Sequence, residues 1–168
     1  MQTTVQVGEQ FTNNKTGETY TFHATAASTE GAYVQFDNFV PAGLAGPPTH
    51  LHPKQEETFT VLSGTLQVTV NGETRLLTEG ETAVIPPQTA HTFDNRHGDD
   101  VTFRVTLTPA LDSDLFFAGI VQAANKSRSG SMSLRQLAKL IHKQESRFQL
   151  VGPPAWLQNW LFNLLAKF

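Results

Sequence analysis

Four side chains of this sequence have the types and spacing to hold one ion: His50 and His52 in the run His50-Leu51-His52-Pro53-Lys54-Gln55-Glu56-Glu57, the carboxylate of Glu57, and the distant His91. Two histidines at i and i+2 on extended chain project to the same side, because side chains alternate across the pleat. Pro53 cannot continue a central ladder and predicts a bend, after which Glu57, Phe59 and Val61 share one face of the next strand. His91 and Phe93 share a face on a strand that follows the Pro86-Pro87 turn, so a third imidazole can arrive from across a barrel. Three nitrogen donors and one oxygen donor suit a borderline divalent ion of the first transition row. Imidazole favours Fe, Co, Ni, Cu or Zn, and a carboxylate makes Mn and Fe(II) easier to hold. Calcium and magnesium want more oxygens. Four protein ligands around an ion that accepts five or six leave positions for water, substrate or dioxygen.

Positioning such a set requires strands, and the first two thirds of the chain read as strands. From about Gly17 to Pro109 the sequence is rich in Thr, Val and Phe and is punctuated by turn residues. Leu66, Val68 and Val70 alternate with Thr65, Gln67 and Thr69, and Val101, Phe103, Val105 and Leu107 alternate with Thr102, Arg104, Thr106 and Thr108. Period two means one buried and one wetter face. Asn71-Gly72 is the pair best suited to the positive φ angles of a two-residue hairpin, and Ser63-Gly64, Glu79-Gly80 and Asn95 to Gly98 mark further reversals. Many short antiparallel strands hide their apolar faces in a sandwich or a closed barrel.

After Pro109 the period changes. Asp112, Ser113 and Asp114 offer N-cap oxygens ahead of Leu115-Phe116-Phe117 and Ile120-Val121, predicting a short helix that ends before the polar stretch Asn125 to Ser131. Ser133 and Gln136 have capping-box spacing before Leu134, Leu137, Ala138 and Ile141, and Pro153-Pro154 open a segment whose apolar face runs from Trp156 to Phe168. The polar face of that last segment, Gln158, Asn159, Asn163 and Lys167, lacks the cationic richness of a membrane-surface helix. The expected organisation is a β-barrel over 1–110 and a helical extension over 111–168 packing on it rather than a separate domain.

The chain of 168 residues has no cysteine, which excludes thiolate zinc sites, iron–sulfur clusters, a cysteine nucleophile and disulfides. It can build a core without such staples, so an ion would be functional rather than structural. Twelve basic against 15 acidic groups and a pI near 6.0 give no electrostatic footprint for nucleic acid. The N-terminus lacks a basic start followed by an apolar stretch, and no window is apolar enough to span a membrane, so a cytoplasmic location is expected. Other polar candidates have simpler readings. Glu56 falls on the solvent face of its strand, His23, His97 and His142 are satisfied or solvated, and Lys126 and Arg128 sit in a polar linker.

At the metal-ligand positions the sequence resembles the cupins. Their first motif, a glycine, His-x-His, three or four residues, Glu, six residues and Gly, reads here as His50-Leu51-His52, four residues, Glu57, six residues and Gly64. Their second, Gly, five residues, Pro-x-Gly-x-x-His, three residues and Asn, reads as Gly80, five residues, Pro86-Pro87-Gln88-Thr89-Ala90-His91, three residues and Asn95. The 15 residues between them, Thr65 to Glu79, match the short spacing of small single-domain bacterial members. Two motif glycines are replaced, the first by Leu44, which Gly43 and Gly46 flank, and the second by Gln88. Both serve backbone turns, so these departures bear on loop shape at the pocket rim and not on ligation.

The resemblance implies a double-stranded β-helix, or jelly-roll, barrel with one divalent ion (Fe, Mn, Ni, Cu, Co or Zn) held by His50, His52, Glu57 and His91. It also implies a homodimer and a small-molecule substrate, with neither nucleic acid nor membrane as partner. Similar small cupins include dioxygenases that cleave flavonols, diketones or thiols, and the leading expectation is a dioxygenase-type oxidoreductase in which Glu57 also takes a substrate proton. Two alternatives stand beside it: a non-catalytic ligand-binding or sensing module, and redox-neutral isomerase or lyase chemistry at the same ion. Phe59, Phe93, Phe103 and Val61 are expected as core, with any that face the ion making an apolar pocket suited to aromatic substrates.

Overall fold

The computed structural model describes residues 4–130, 133, 136 and 149–152. Eleven strands and one helix lie among them: β1 (Gln10–Thr12), β2 (Thr19–Ala24), β3 (Val34–Val40), β4 (His50–Leu51), β5 (Glu56–Ser63), β6 (Thr65–Val70), β7 (Glu73–Thr78), β8 (Thr82–Ile85), β9 (His91–Asp94), β10 (Val101–Thr108), α1 (Ser113–Asn125) and β11 (Gln149–Leu150). They form two antiparallel sheets, of order β1-β2-β3-β10-β5-β8 and β11-β4-β9-β6-β7. This is the double-stranded β-helix barrel expected from the strand pattern and the family resemblance. No helix among the described residues is long and apolar enough to cross a membrane.

Alternation decides which faces meet. In β10, Val101, Phe103, Val105 and Leu107 are buried while the residues between them are partly wet, and Leu66 and Val68 do the same for β6. Phe22, Phe36, Phe103, Leu66 and Leu77 are among the largest fully buried side chains. Each contributes about 1.5–3 kcal/mol by leaving water. The β6–β7 hairpin turns at Asn71 and Gly72, both at positive φ (50° and 85°), as a two-residue turn of the twist-matched kind requires.

Helix α1 forms where the change of period predicts it, with one difference at its start. Asp112 is the N-cap residue but makes no side-chain capping bond. The carboxylate of Asp114 is used instead, accepting from the backbone N–H of Leu115 at 2.9 Å and, across the structure, from that of Ala26 at 3.1 Å. At the far end Asn125 accepts from the N–H of Asn14 and donates to the carbonyl of Thr12, so both ends of the helix are tied to the N-terminal part of the large sheet. Of the expected second helix only Ser133 and Gln136 are described. They make the reciprocal capping-box bonds, Ser133 N–H to Gln136 Oε1 at 2.8 Å and Gln136 N–H to Ser133 Oγ at 3.3 Å. The rest of that helix and the Trp156 to Phe168 segment lie outside the described residues.

The glycine that closes the first motif has a steric reason. Gly64 turns β5 into β6 at φ +82°, and a Cβ there would meet the carbonyl oxygen of Asp100 at 2.5 Å and the Cα of Val101 at 3.1 Å. Gly72 has a similar φ but open space around it. Gly72→Ala should therefore cost about 1–2 kcal/mol from backbone strain alone, and Gly64→Ala about 3 kcal/mol or more. Denaturant unfolding of both variants checks this, and equal losses would show that the crowding at Gly64 is relieved by a small shift.

Candidate metal centre

Each of the four candidate ligands reaches the site by a different backbone device. Glu57 opens the buried face of β5, opposite Leu107 of β10 and Ile85 of β8 in the large sheet. His50 and His91 belong to the small sheet, where they face each other directly across β4 and β9, their rings 4.3 Å apart. His52 lies one residue beyond the end of β4, so the i, i+2 strand relationship holds for its direction although the strand is only two residues long. One ligand atom from each of His50, His52, Glu57 and His91 lies within 4.8 Å of every other, and all four residues are buried. Glu56 and His97 are exposed, and His23 points away from the barrel interior to bond Asp37 at 2.7 Å, so none of these joins the cluster. His142 is outside the described residues.

The donor chemistry fits a cation. The Nδ1–H of His50 donates to the carbonyl of Pro48 and that of His91 to the carbonyl of Thr89, both at 2.9 Å. A carbonyl only accepts, so these bonds fix the proton on Nδ1 and turn each Nε2 to the centre, the usual arrangement behind a metal-binding histidine. Glu57 Oε2 then has His91 Nε2 at 2.7 Å and His52 Nε2 at 3.2 Å. Two lone-pair atoms at that distance repel unless a positive charge lies between them, either a proton or a metal ion. Burial and the neighbouring His91 push the His50 imidazole down to about 3, so it offers a neutral lone pair at any physiological pH. Burial alone would raise the Glu57 carboxyl, but His52 and the hydrogen bonds from His52 and His91 outweigh it and hold the group well below the usual carboxylate range. The residues present thus fit a borderline divalent ion, with His50, His52, Glu57 and His91 as its ligands.

The loops around the cluster explain the two motif departures. A Cβ on Gly46 would run into the backbone carbonyl of Phe93, so Gly46 supplies the close approach at this rim, two positions after Leu44. Gln88 takes φ +63°, the region a glycine favours, and its N–H donates to the carbonyl of His52 at 2.8 Å. The turn is kept and a backbone strain is accepted with it. Asn95, which closes the second motif, is buried and donates to the carbonyls of Val40, Pro41 and Asp99, clamping the loop after β9.

His50, His52 and Glu57 line a cavity of about 340 Å³. Phe59, Phe93 and Phe103 form its wall as well as part of the core, whereas Val61 is core only. Phe116, Phe117 and Ile120 of α1 roof it, the ring of Phe117 lying 4.6 Å from that of Phe36 at a tilt of 53°. The volume falls within the range of about 300–1,000 Å³ typical of small-molecule sites.

Residues 38–108 match the cupin domain family. Over that stretch the barrel is similar to cupin domains. In fold the chain is similar to KdgF from a Halomonas species, at 19% identity and a TM-score of 0.54, covering 66% of this chain and 96% of that one. In sequence it is similar to two fungal proteins. A probable oxidoreductase of Hypocrea virens, virH, is 29% identical over 130 residues, 72% of this chain and 58% of that protein. A probable oxidoreductase of Aspergillus niger, yanE, is 36% identical over 108 residues, 58% of this chain and 40% of that protein. The chain therefore spans about half the length of these relatives.

Two features of the site escape the motif reading. Gln55 is buried, its amide donating to the carbonyls of Pro109 and Ala110 and to Ser113 Oγ, which ties the bend before Glu57 to the start of α1. Nothing in its sequence surroundings distinguishes it from a solvated loop residue. Glu18, Tyr20 and Asn38 line the same cavity as the histidines. The signal for Tyr20 and Asn38 was strand alternation, which places them in line with Phe22 and Phe36 on inward faces.

The buried ionisable groups set a direction for acid sensitivity. Between pH 6.5 and about 3 the imidazole of His50 is protonated in the unfolded chain and neutral in the folded one, so the unfolded state binds the extra proton and stability falls as pH falls. Glu57 acts in the same direction below its ordinary value of 4.5. The melting temperature of metal-free protein should decline steadily from pH 7 to pH 4, and His50→Gln should flatten the part between 6.5 and 4.5. A parent profile flat over that interval would mean that His50 is not held neutral by burial.

Proposed function

We propose that the protein is a metal-dependent oxidoreductase of dioxygenase type acting on a small aromatic or enolisable molecule. The observation that carries this reading is the buried His50, His52, Glu57 and His91 cluster opening onto a cavity walled by phenylalanine rings. The names of the two fungal relatives support the broader class, oxidoreductase.

In this reading the four residues would hold one divalent transition ion, which would supply Lewis acidity toward a substrate oxygen. Glu57 has two functions. It is a ligand, and its carboxylate, ionised and bordering the cavity, is placed to receive the proton of a substrate hydroxyl or enol. His91 Nε2, 2.7 Å from the Glu57 oxygen, would be a ligand to the same ion. The backbone carbonyls of Pro48 and Thr89 hold the rings of His50 and His91 in one orientation and tautomer. Phe59, Phe93 and Phe103 present ring faces and edges to a planar substrate and keep bulk water from the reacting oxygen.

Element analysis of freshly purified protein, followed by oxygen uptake with flavonols, diketones and catechols, tests the proposal. We expect about one ion per chain, loss of the ion in His91→Ala, and a fall in turnover of about 100-fold or more in Glu57→Gln. Metal-replete protein that binds members of the panel yet consumes no oxygen would refute the dioxygenase reading, and turnover without oxygen would place the chemistry with redox-neutral isomerases or lyases.

A further inference from the structure

The cavity has a second polar end made by Glu18, Tyr20 and Asn38. Tyr20 and Asn38 are cross-strand partners in β2 and β3, both buried on inward faces otherwise held by Phe22, Phe36 and Val40. The register separates this end from the ion ligands. Asn38 pairs with Phe103 while Glu57 pairs with Leu107, four residues along β10, about 13 Å of strand. Both ends nonetheless line the same cavity.

The hydrogen bonds at this end leave one acceptor facing no donor. Tyr20 donates its hydroxyl to Glu18 Oε1 at 2.8 Å, and the Asn38 amide donates to the same oxygen at 3.3 Å. Asn38 Oδ1 is buried with no hydrogen-bond partner, in a residue only 2% exposed. Buried acceptors of this kind are costly and are normally satisfied, so one lining a cavity calls for a ligand donor. The sheet does not need a polar group there, since apolar residues fill the neighbouring inward positions. Burial raises the Glu18 carboxyl against the lowering bonds from Tyr20 and Asn38.

We propose that Glu18, Tyr20 and Asn38 form a second substrate anchor that accepts a hydrogen bond from a hydroxyl remote from the ion ligands, so that the substrate is a hydroxylated aromatic carrying an oxygen function at each end. One end meets the His50, His52, Glu57 and His91 cluster, the ring lies among the phenylalanines, and the far hydroxyl donates to Asn38 Oδ1. The inference rests on the cavity being the substrate site of the proposed oxidoreductase and specifies its substrate class.

Calorimetric titration with 2,4-dihydroxyacetophenone and with 2-hydroxyacetophenone, which lacks the far hydroxyl, tests it on metal-loaded and chelator-treated protein. The parent should prefer the dihydroxy compound by about tenfold or more. Asn38→Leu should cut that preference to about threefold or less, by weakening the dihydroxy compound more than the monohydroxy one. Without ligand it should melt near the parent's temperature, because loss of the 3.3 Å bond to Glu18 is offset by removal of an unsatisfied buried acceptor. Glu18→Gln, at a half-buried position, is the second variant and should also weaken the preference. A parent that does not discriminate, or variants that both keep the full preference, would overturn the anchor. If no ion is bound but the preference exists and Asn38→Leu abolishes it, the ion reading fails and the anchor stands. Oxygen turnover with no preference would have the reverse meaning.

Discussion

A single buried carboxylate oxygen of Glu57 faces two imidazole nitrogens, and that contact is stable only if a positive charge is shared among the three groups. Much of the surrounding structure follows from this requirement. Glu57 is on the large sheet and the histidines are on or next to the small one, so the charge sits at the seam where the two sheets close on each other. The closure is carried by the backbone. Gly46 lets its loop lie against the carbonyl of Phe93, the Gln88 N–H holds the His52 carbonyl, and Asn95 binds three carbonyls beyond β9. Each of these contacts lies outside the ligand set, and each limits where a ligand can move.

The barrel interior is divided between packing and binding. Toward Phe22, Leu66 and Leu77 it is filled, while around Phe59, Phe93 and Phe103 the rings border a cavity. Helix α1 makes the difference by acting as a roof rather than a plug. Its Phe116, Phe117 and Ile120 reach the cavity while Asp114, Asn125 and the Gln55 amide fix it to the sheet and to the bend before Glu57. The segment that shields the site from water is thereby linked to the strand that presents the carboxylate. Substitutions at that link would be felt at Glu57 although the link touches no substrate.

Legibility in the sequence followed the range of the interaction concerned. Alternation along β6 and β10, the Asn71-Gly72 turn and the boundaries of α1 depend on residues a few positions apart, and all were readable. The cap at Asp112 was not, because Asp114 is recruited by the N–H of Ala26, 88 residues away in sequence. The replaced motif glycines show the same limit. Leu44 and Gln88 look like losses, yet Gly46 and a left-handed backbone at Gln88 perform the turns, and only the packed loops reveal it. Gln55 and Asn38 read as ordinary polar residues until the elements opposite them are in place.

Residue type and spacing alone determined that this chain makes antiparallel strands, that it holds no thiolate chemistry, and that three imidazoles and a carboxylate have backbone directions allowing them to meet. These depend on pleat geometry, proline and the absence of cysteine, all local or compositional. Whether the four groups do meet, which nitrogen each ring turns inward, and that Glu18, Tyr20 and Asn38 face the same cavity were decided by the register between strands distant in sequence and by burial. Those quantities exist only after the sheets close, because desolvation and the contact of one carboxylate oxygen with two ring nitrogens are properties of the packed interior and not of any segment.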